Sequence, residues 1–324
     1  MQHPPMQHPP TQHPSAQHPS ARRPYVLVDG VTRAYPGHTV FRDLCFGIER
    51  GEFVCLVGHS GCGKTTVLNI LAGLDAPDAG GVVVDGREIS GPSLDRAVIF
   101  QGHALMPWMT AEGNVAFALS CRHRGWGKAR LRDAAREALA KVGLAGAADR
   151  RPAQLSGGMK QRGGIARALA LEPKMLLMDE PFSALDALTR GALQEEVARL
   201  VAEAGQTGFM ITHDVDEAIL LADRILLMTN GPDARVAEVV VNTLPKPRER
   251  ATLHKLPGYH PLRDHVLEFL LTRSRSLAGA PPPGWDPRAV PAVRPTAPDG
   301  VAPYPSGASV PPGRPDRPGA MAAD

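Results

Sequence analysis

The chain has 324 residues, of which 43% are hydrophobic, and a formal net charge of +3 at pH 7. This is enough for a globular domain with its own core, and the near balance of charge argues against nucleic acid as the main partner. Four cysteines without paired metal-ligand spacing indicate reduced thiols in a cytosolic protein. No run reaches the ~20 apolar residues that a membrane-spanning helix needs, so at a membrane another chain would have to hold this one.

The two ends of the chain differ in composition from its middle. A five-residue repeat built on Gln-His-Pro opens the chain, and proline becomes frequent again from residue 274. Few apolar side chains are available there, so we predict disordered tails at 1–23 and 274–324. Metal binding by the repeated histidines is the alternative for the first tail. Between the tails we predict a domain over 24–245 and a helical extension over 246–273.

Within the domain, short apolar runs alternate with amphipathic helical patterns. Strands are predicted at residues 52–57, 174–178, 208–212 and 224–228. Helices are predicted at residues 64–74, 128–142 and 188–204. The alternation predicts the α/β fold class, with a largely parallel sheet. A strand-poor stretch at about 103–156 predicts a helical subdomain inserted into that core.

A glycine-rich phosphate-binding motif follows the first of these strands and opens the first of these helices. It consists of Gly58, His59, Ser60, Gly61, Cys62, Gly63, Lys64 and Thr65, and Thr66 follows it. Glycines let backbone N–H groups surround phosphates, and the helix N-terminus adds positive partial charge. The lysine of this motif reaches the β- and γ-phosphates and the threonine hydroxyl binds Mg²⁺. The motif therefore predicts a P-loop NTPase that binds ATP and Mg²⁺; we assign no chemistry to the spacer residues His59 and Cys62.

Two adjacent acids, Asp179 and Glu180, follow the strand predicted at 174–178. An acid at the carboxyl end of a buried strand can hold the Mg²⁺ shell, and a second acid beside it can polarise an attacking water. An ordinary acidic pair at a strand end is the alternative. The phosphate-binding motif elsewhere in the chain favours the catalytic interpretation.

The segment Leu155-Ser-Gly-Gly-Met-Lys-Gln-Arg162 determines the class. With it, the sequence resembles the ABC transporter ATPases over residues 25 to about 245, and the other motifs occur in the order of that family. The resemblance implies that Tyr35 stacks on adenine, that Gln101 senses the γ-phosphate and the metal, and that His213 is the switch histidine. Taken singly, each of these three residues also has an ordinary structural interpretation.

The resemblance also implies a mechanism. Two copies, or this chain and a paired ATPase subunit, would face each other and enclose ATP between Lys64 of one and the signature residues of the other. Those signature residues are Ser156, Gly157 and Gly158. Glu180 would orient or deprotonate the attacking water, and the Mg²⁺ ligands implied are Thr65, Gln101 and Asp179. Residues 183–186 would form the loop between the two subunits.

Further partners follow from the same resemblance. The helical subdomain would pass nucleotide-driven motion to integral membrane permease subunits, with an extracytoplasmic substrate-binding protein as an indirect partner. The chain would then lie peripherally on the cytoplasmic face of the cell membrane. Met106 and Trp108 follow Gln101, where the family docks its permease, and core packing is the alternative for them. A soluble ABC ATPase without a membrane partner is the alternative of another class.

Three segments narrow the resemblance to the nitrate/cyanate branch of importers, which is related to the sulfonate and taurine importers. They are residues 58–62, 100–108 and 228–232. Import of a small anion is implied, nitrate first, with sulfonate, taurine or cyanate as alternatives. Residues 262–270 also resemble the end of nitrate-type subunits, and their apolar stripe predicts a helix packed on the domain.

Two departures from the family pattern occur near these motifs. Gly163 and Gly164 follow the signature inside a predicted helix, at a cost of about 1–2 kcal/mol in helix propensity. Gly102 replaces a polar neighbour of Gln101. Neither departure removes a catalytic group.

Overall fold

The computed structural model of the protein describes residues 24–102 and 104–295, and the backbone of 301–303. The tail predicted at 1–23, with the repeated histidines His3, His8, His13 and His18, lies outside the described residues. Within the described ranges the strands form two sheets. No helix of these ranges is long and apolar enough to cross a bilayer.

Each of the four predicted strands is present, and the described residues contain further strands that the sequence analysis does not predict. In chain order they are β1 (Val26–Tyr35), β2 (His38–Ile48), β3 (Phe53–Val57), β4 (Ala79–Val84), β5 (Arg87–Glu88), β6 (Arg96–Ile99), β7 (Met175–Asp179), β8 (Thr207–Ile211), β9 (Arg224–Met228), β10 (Val236–Val241), β11 (Pro291–Val293) and β12 (Val301–Pro303). The larger sheet has the order β12-β11-β10-β9-β3-β8-β7-β6, and its strands from β9 to β6 are parallel. Every residue of β3, β7, β8 and β9 is buried, as expected for parallel strands covered on both faces. The predicted α/β core is confirmed.

Helices connect these strands. In chain order they are α1 (Lys64–Ala72), α2 (Ala111–Arg122), α3 (Lys128–Lys141), α4 (Gly157–Ala170), α5 (Ala187–Glu203), α6 (Val215–Leu221), α7 (Arg250–Leu253), α8 (Tyr259–Glu268) and α9 (Ser274–Ser276). The first helix ends two residues before the predicted Leu74. Gly73 adopts a left-handed φ of 76° there, and its amide caps the last turn.

The smaller sheet is antiparallel, with the order β2-β1-β4-β5. Together with α1 it covers one face of the larger sheet, and Phe41, Ile48 and Leu68 lie in the shared core. Across the two sheets the rings of Phe46 and Phe209 stack with their centroids 6.1 Å apart. This packing fixes the β1–β2 hairpin beside the segment that joins β3 to α1.

Helices α2 and α3 lie within the stretch for which a helical subdomain is predicted, and α4 follows directly after it. Helices α2, α3 and α4 pack on one another, and α4 also contacts β6. The α2–α3 contact is reinforced by Glu112, whose carboxylate binds Nε of Arg132 at 2.9 Å and Nε of Arg136 at 2.5 Å. A Cβ on Gly163 would lie 3.3 Å from Leu105. The first glycine of the unusual pair therefore lets the segment after β6 pack closely on α4.

The extension predicted after residue 246 contains α7 and a longer helical segment. That segment consists of α8, a π-helical turn at Phe269–Arg273 and α9, and it is called the C-terminal helix below (residues 259–276). Leu262, Val266 and Phe269 are completely buried on one side of it. The apolar stripe read from the sequence therefore faces the domain.

The tail predicted from residue 274 differs from the structure up to residue 295. Strand β11 adds to the larger sheet in parallel with β10, pairing Ala292 with Val239 and Val293 with Val240. Both β11 residues are buried, and Trp285 lies 5.3 Å from the guanidinium of Arg235. The open edge of β10 gives a short apolar run a pairing partner, which proline content alone does not reveal.

Candidate active site

The phosphate-binding motif forms a tight loop between β3 and α1. Two of its glycines, Gly61 and Gly63, have φ values of 82° and 95°, which other residues rarely adopt. At Gly63 a Cβ would also lie only 2.4 Å from Val40. Cys62 is buried against the loop, whereas Ser60 is exposed. The loop therefore requires glycine for both conformation and space.

Lys64, the first residue of α1, turns its side chain back into this loop. Its Nζ donates hydrogen bonds to the carbonyl oxygens of His59 at 2.7 Å and Gly58 at 2.8 Å. The residue is only 8% exposed. A buried ammonium beside backbone N–H groups at a helix N-terminus can bind phosphate oxygens.

The next residue joins α1 to the end of β7. The Thr65 hydroxyl donates to Oδ2 of Asp179 at 3.0 Å. Burial raises the pKa of Asp179, and the hydrogen bond from Thr65 opposes that shift. A hydroxyl and a carboxylate side by side are oxygen ligands of the kind that Mg²⁺ prefers. Thr66 is half-buried one position further along.

Each oxygen of the Glu180 carboxylate has a nitrogen atom close to it. Nε2 of Gln101 lies 3.0 Å from Oε2, and Nδ1 of His213 lies 3.2 Å from Oε1. The backbone of Glu180 has a φ of 46°, a left-handed conformation that costs a residue with a Cβ about 1–2 kcal/mol. Such strain is typical of functional positions.

The sheet explains why these three side chains meet. Gln101, Glu180 and His213 follow the carboxyl ends of β6, β7 and β8, which are neighbours in the parallel sheet. The phosphate loop follows β3, the next strand. Ligands of open α/β sheets bind at this edge. The fold thus brings residues that the sequence predicts to one edge of the sheet. Gln101 and His213 contact Glu180. Thr65, which follows Lys64 in the phosphate loop, contacts Asp179.

The signature residues lie on a different element from the phosphate loop. The hydroxyl of Ser156 caps α4 by accepting from the amide of Met159 at 3.3 Å, and both Ser156 and Gly157 are exposed. Gly158 is half-buried against Leu185. The N-terminus of a 14-residue helix therefore presents its amides at the surface of the helical subdomain.

A predicted aromatic residue and a predicted loop lie at the edges of the site. Tyr35 ends β1 and is 47% exposed, with the guanidinium of Arg33 at 4.9 Å from its ring centre. Ser183 donates its hydroxyl to the carbonyl of Glu180 at 2.9 Å. Asp186, at the end of the same loop, caps α5. The loop 183–186 is therefore attached directly to Glu180.

A buried polar group behind Glu180 is missing from the sequence interpretation. The carboxylate of Glu217, on α6, accepts from the hydroxyl of Thr212 and from Nε2 of Gln194 at 2.6 Å. Burial raises its pKa, and these hydrogen bonds oppose that shift. Glu217 lines one cavity with Glu180 and His213. Glu217 follows Thr212 by five residues in the sequence. Because acidic side chains are usually exposed, this spacing does not by itself indicate a buried carboxylate.

The sequence interpretation also missed the side chain of His59. Its Nε2 lies 2.6 Å from the carbonyl oxygen of Leu270 in the C-terminal helix. A residue treated as a spacer thus connects the phosphate loop to a segment 211 positions further along the chain. No local pattern in the sequence indicates this contact.

Fold and site together define a P-loop nucleotide-binding protein. The ABC transporter family profile matches residues 41–183. The nitrate transport protein NasD of Klebsiella oxytoca is 46% identical over 260 residues, which are 79% of this chain and 99% of NasD. The chain belongs to the ABC transporter family, and the predicted family and fold are confirmed.

Other relatives differ in length. The nitrate import ATP-binding protein NrtC of Synechococcus elongatus is 45% identical over 78% of this chain, and the matched region is 39% of NrtC. The chain thus spans about two fifths of that relative. A solved dimeric structure of the ATP-binding cassette MJ0796, bound to ADP and Pi, matches this chain with a TM-score of 0.62 and 33% sequence identity. The match covers 67% of this chain and 98% of the MJ0796 chain.

Proposed function

We propose that this chain is the ATP-hydrolysing subunit of an importer for a small anion, nitrate in the first place. The observation that carries the proposal is the carboxylate of Glu180, held between Gln101 and His213 beside the Thr65–Asp179 pair. A general base, a polarising amide, a switch histidine and a metal-ligand pair are the parts that phosphoryl transfer to water requires.

Nucleotide binding is assigned to the loop between β3 and α1. Its backbone N–H groups and the N-terminus of α1 would hold the phosphates. Lys64 would exchange the carbonyls of Gly58 and His59 for the β- and γ-phosphates, a short movement of an ammonium that already lies inside the loop. Tyr35, exposed at the end of β1, would stack on the adenine.

Residues that would hold Mg²⁺ are Thr65, Asp179 and Gln101. The chemistry of these side chains fits the cation. The hydroxyl of Thr65 and the carboxylate of Asp179 are 3.0 Å apart, and Mg²⁺ prefers oxygen ligands. When bound, Mg²⁺ neutralises charge on the β- and γ-phosphates. Burial raises the pKa of Asp179, and a cation at this position would lower that pKa.

The chemical step is assigned to Glu180. One carboxylate oxygen would accept the proton of the attacking water, while Gln101 and His213 keep the group in place. The side chain of His213 is 66% exposed, so it is free to turn toward the γ-phosphate without breaking core contacts. The hydrogen bond between Ser183 and the carbonyl of Glu180 would make the position of Glu180 sensitive to the loop 183–186.

A complete site is proposed to need a second ATPase subunit. The exposed N-terminus of α4, with Ser156, Gly157 and Gly158, lies on the helical subdomain and not on the phosphate loop of the same chain. Its free amides suit the γ-phosphate of a nucleotide bound by a partner. The MJ0796 cassette, which is described as dimeric, supports this arrangement.

The membrane side of the proposal involves a permease and, indirectly, an extracytoplasmic receptor. Trp108, shortly after Gln101, is 69% exposed, whereas Met106 is half-buried. An exposed tryptophan is a common interface anchor. We assign this surface to the permease, which places the chain peripherally at the cytoplasmic face of the membrane.

Nitrate is the first substrate because NasD and NrtC, which carry nitrate in their names, are 46% and 45% identical to this chain. Bicarbonate is the second candidate. The bicarbonate transport ATP-binding protein CmpD of Synechococcus elongatus is 45% identical over 77% of this chain and 91% of its own length. Nitrate and bicarbonate are both small, singly charged oxyanions.

Uptake of labelled nitrate and bicarbonate by a deletion strain tests the proposal. The strain is complemented with wild type or with Glu180→Gln, and taurine and an alkanesulfonate are assayed in parallel. We expect nitrate uptake to depend on wild type. If the deletion abolishes uptake of bicarbonate, taurine or the sulfonate and leaves nitrate uptake unchanged, the ATPase assignment stands and nitrate is excluded as the substrate. Unchanged uptake of every anion, together with absence of the chain from the membrane fraction, would favour a soluble ABC ATPase.

A further inference from the structure

The phosphate loop is fastened to the C-terminal helix by one side chain. Nε2 of His59 lies 2.6 Å from the carbonyl oxygen of Leu270. A carbonyl oxygen can only accept, so Nε2 must carry the proton and donate it. This assigns the tautomer of His59 and gives the contact a direction, from the loop to the helix.

The acceptor lies in an unusual stretch of helix. Residues 269–273 are wound as a π-helix, a form that is rare and often found at functional sites. The Leu270 carbonyl also accepts a hydrogen bond from the hydroxyl of Ser274 at 2.9 Å. It therefore has two side-chain donors, one from its own helix and one from the phosphate loop.

Contacts other than His59 hold this helix on the domain. Buried Glu238, on β10, binds Nε2 of His265 at 2.9 Å and also the guanidinium of Arg273. Nearer its start, the hydroxyl of Tyr259 donates to Asp216 of α6 at 2.6 Å. The Leu270 carbonyl is thus fixed relative to the sheet, and a group that binds it becomes fixed as well.

His59 transmits this constraint to Lys64. While its ring donates to Leu270, its own carbonyl accepts from Nζ of Lys64 at 2.7 Å. The neighbouring Gly58 carbonyl accepts from the same Nζ. One residue therefore connects the C-terminal helix to the ammonium of Lys64, to which the proposed function assigns phosphate binding.

We propose that His59 is a positioning residue for nucleotide binding and that the C-terminal helix is the support which it uses. The inference rests on the proposed function, because it concerns the loop assigned to ATP. A loop held in its binding conformation loses less entropy when the phosphates arrive. The support should therefore act on affinity for MgATP and leave the hydrolytic step at Glu180 unaffected.

Variants of His59 separate the hydrogen bond from the packing of the ring. In the full chain, His59→Phe keeps a ring and removes the donor, whereas His59→Gln keeps an Nε2 donor and removes the ring. We expect His59→Phe to raise the dissociation constant and KM for MgATP about three- to tenfold, the range of one net hydrogen bond, at unchanged kcat. His59→Gln should stay near wild type. His254→Ala, at an exposed histidine after α7, is the control.

A second variant tests whether the effect passes through the helix. Glu238→Ala removes the anchor of His265 and Arg273 and should also weaken MgATP binding. Because both changes interrupt one connection, the double variant with His59→Phe should bind no more weakly than the weaker single variant. Melting temperatures establish that each protein is folded.

The outcomes distinguish this inference from the proposed function. Wild type that neither binds nor hydrolyses MgATP would contradict the proposed function itself. If wild type binds MgATP and the His59→Phe variant binds it with the same affinity, the role proposed for His59 is wrong. Losses of affinity that multiply in the double variant would overturn the connection through the C-terminal helix.

Discussion

Gln101 donates a hydrogen bond from Nε2 to Oε2 of Glu180 at 3.0 Å, and this contact joins the segment after β6 to the end of β7. The same segment leads to exposed Trp108 and into the helical subdomain. A rigid displacement of that subdomain would carry Gln101 away from Glu180. Docking at the Trp108 surface, which we propose for the permease, would therefore be mechanically connected to the placement of the proposed base through one amide.

Replacing the proposed base should separate binding from hydrolysis. We expect Glu180→Gln to lower the rate of phosphate release by about 10²–10⁴-fold, the usual contribution of a general base, while MgATP affinity stays within a few-fold. Phosphate release and equilibrium binding measure the two quantities. Glu203→Gln, at an exposed acid near the end of α5, is the matched control. Equal losses in both variants would remove Glu180 from the chemical step.

The same variant should reveal the second subunit. If ATP is enclosed between two copies, slow hydrolysis lets the closed dimer accumulate, so Glu180→Gln should sediment as a dimer with MgATP and as a monomer without it. Adding Ser156→Arg should prevent the dimer, because a long side chain would cover the exposed amides of α4. A monomer under every condition, with MgATP bound, would contradict this arrangement.

Two glycines of the phosphate loop should differ in their tolerance of alanine. Both have positive φ, which costs alanine about 1 kcal/mol. A Cβ meets nothing within 4 Å at Gly61, whereas at Gly63 it would lie 2.4 Å from Val40. We expect Gly63→Ala to lower the free energy of unfolding by about 2–4 kcal/mol and Gly61→Ala by about 1 kcal/mol. Urea denaturation of both variants checks the order, and similar losses would be inconsistent with the steric contact.

Acid should weaken the attachment of the C-terminal helix. Burial alone would raise the pKa of Glu238, but its bonds to His265 and Arg273 outweigh that effect and lower the pKa. A carboxyl whose pKa is lower when folded binds more protons when unfolded, so its contribution is present above the unfolded pKa of about 4.3 and is lost as pH falls through the folded value.

We therefore expect the unfolding free energy of wild type to decrease more steeply than that of Glu238→Gln below about pH 4.5. Denaturant titrations between about pH 7 and 3 measure the difference. Glu203→Gln serves again as the control, since its parent acid is exposed. Parallel curves for wild type and Glu238→Gln would show that the contacts of Glu238 with His265 and Arg273 contribute nothing to the pH dependence of stability.

Removing residues 278–324 should destabilise the domain, although the sequence there is rich in proline. The deletion uncovers the edge of β10 and removes the buried side chains of Val290 and Val293. We expect a loss of about 3–6 kcal/mol, from roughly 1.5–3 kcal/mol for each of the two buried valines. Deletion of 304–324, which spares β11 and β12, is the control. Equal stability of the two truncated chains would contradict a structural role for β11.

Much of the core could be predicted from the sequence because its signals are local. A buried strand followed by glycines and a helix identifies the phosphate loop, and an apolar run that ends in two acids identifies β7. Since the fold places the ends of β6, β7 and β8 side by side, motifs recognised separately become one site. The chemical roles of all these residues, and those of Tyr35 and the signature residues, stay predictions.

Contacts between distant parts of the chain could not be predicted in this way. The bond from His59 to Leu270 depends on how the C-terminal helix docks, and the pairing of β11 depends on an open strand edge. Glu217 is buried behind Glu180, yet a single acid on a short helix gives no sign of its orientation. Each of these features is determined by tertiary packing, on which short motifs carry no information.

Glu180 has a left-handed backbone conformation, with φ of 46°, which lowers the stability of the fold at the position of the proposed base. Glycine at this position would relieve about 1 kcal/mol of strain and would at the same time delete the carboxylate. On the proposed function, stability and turnover therefore favour different residues at this position. Stabilising this protein by consensus or computational redesign would need to leave position 180 untouched.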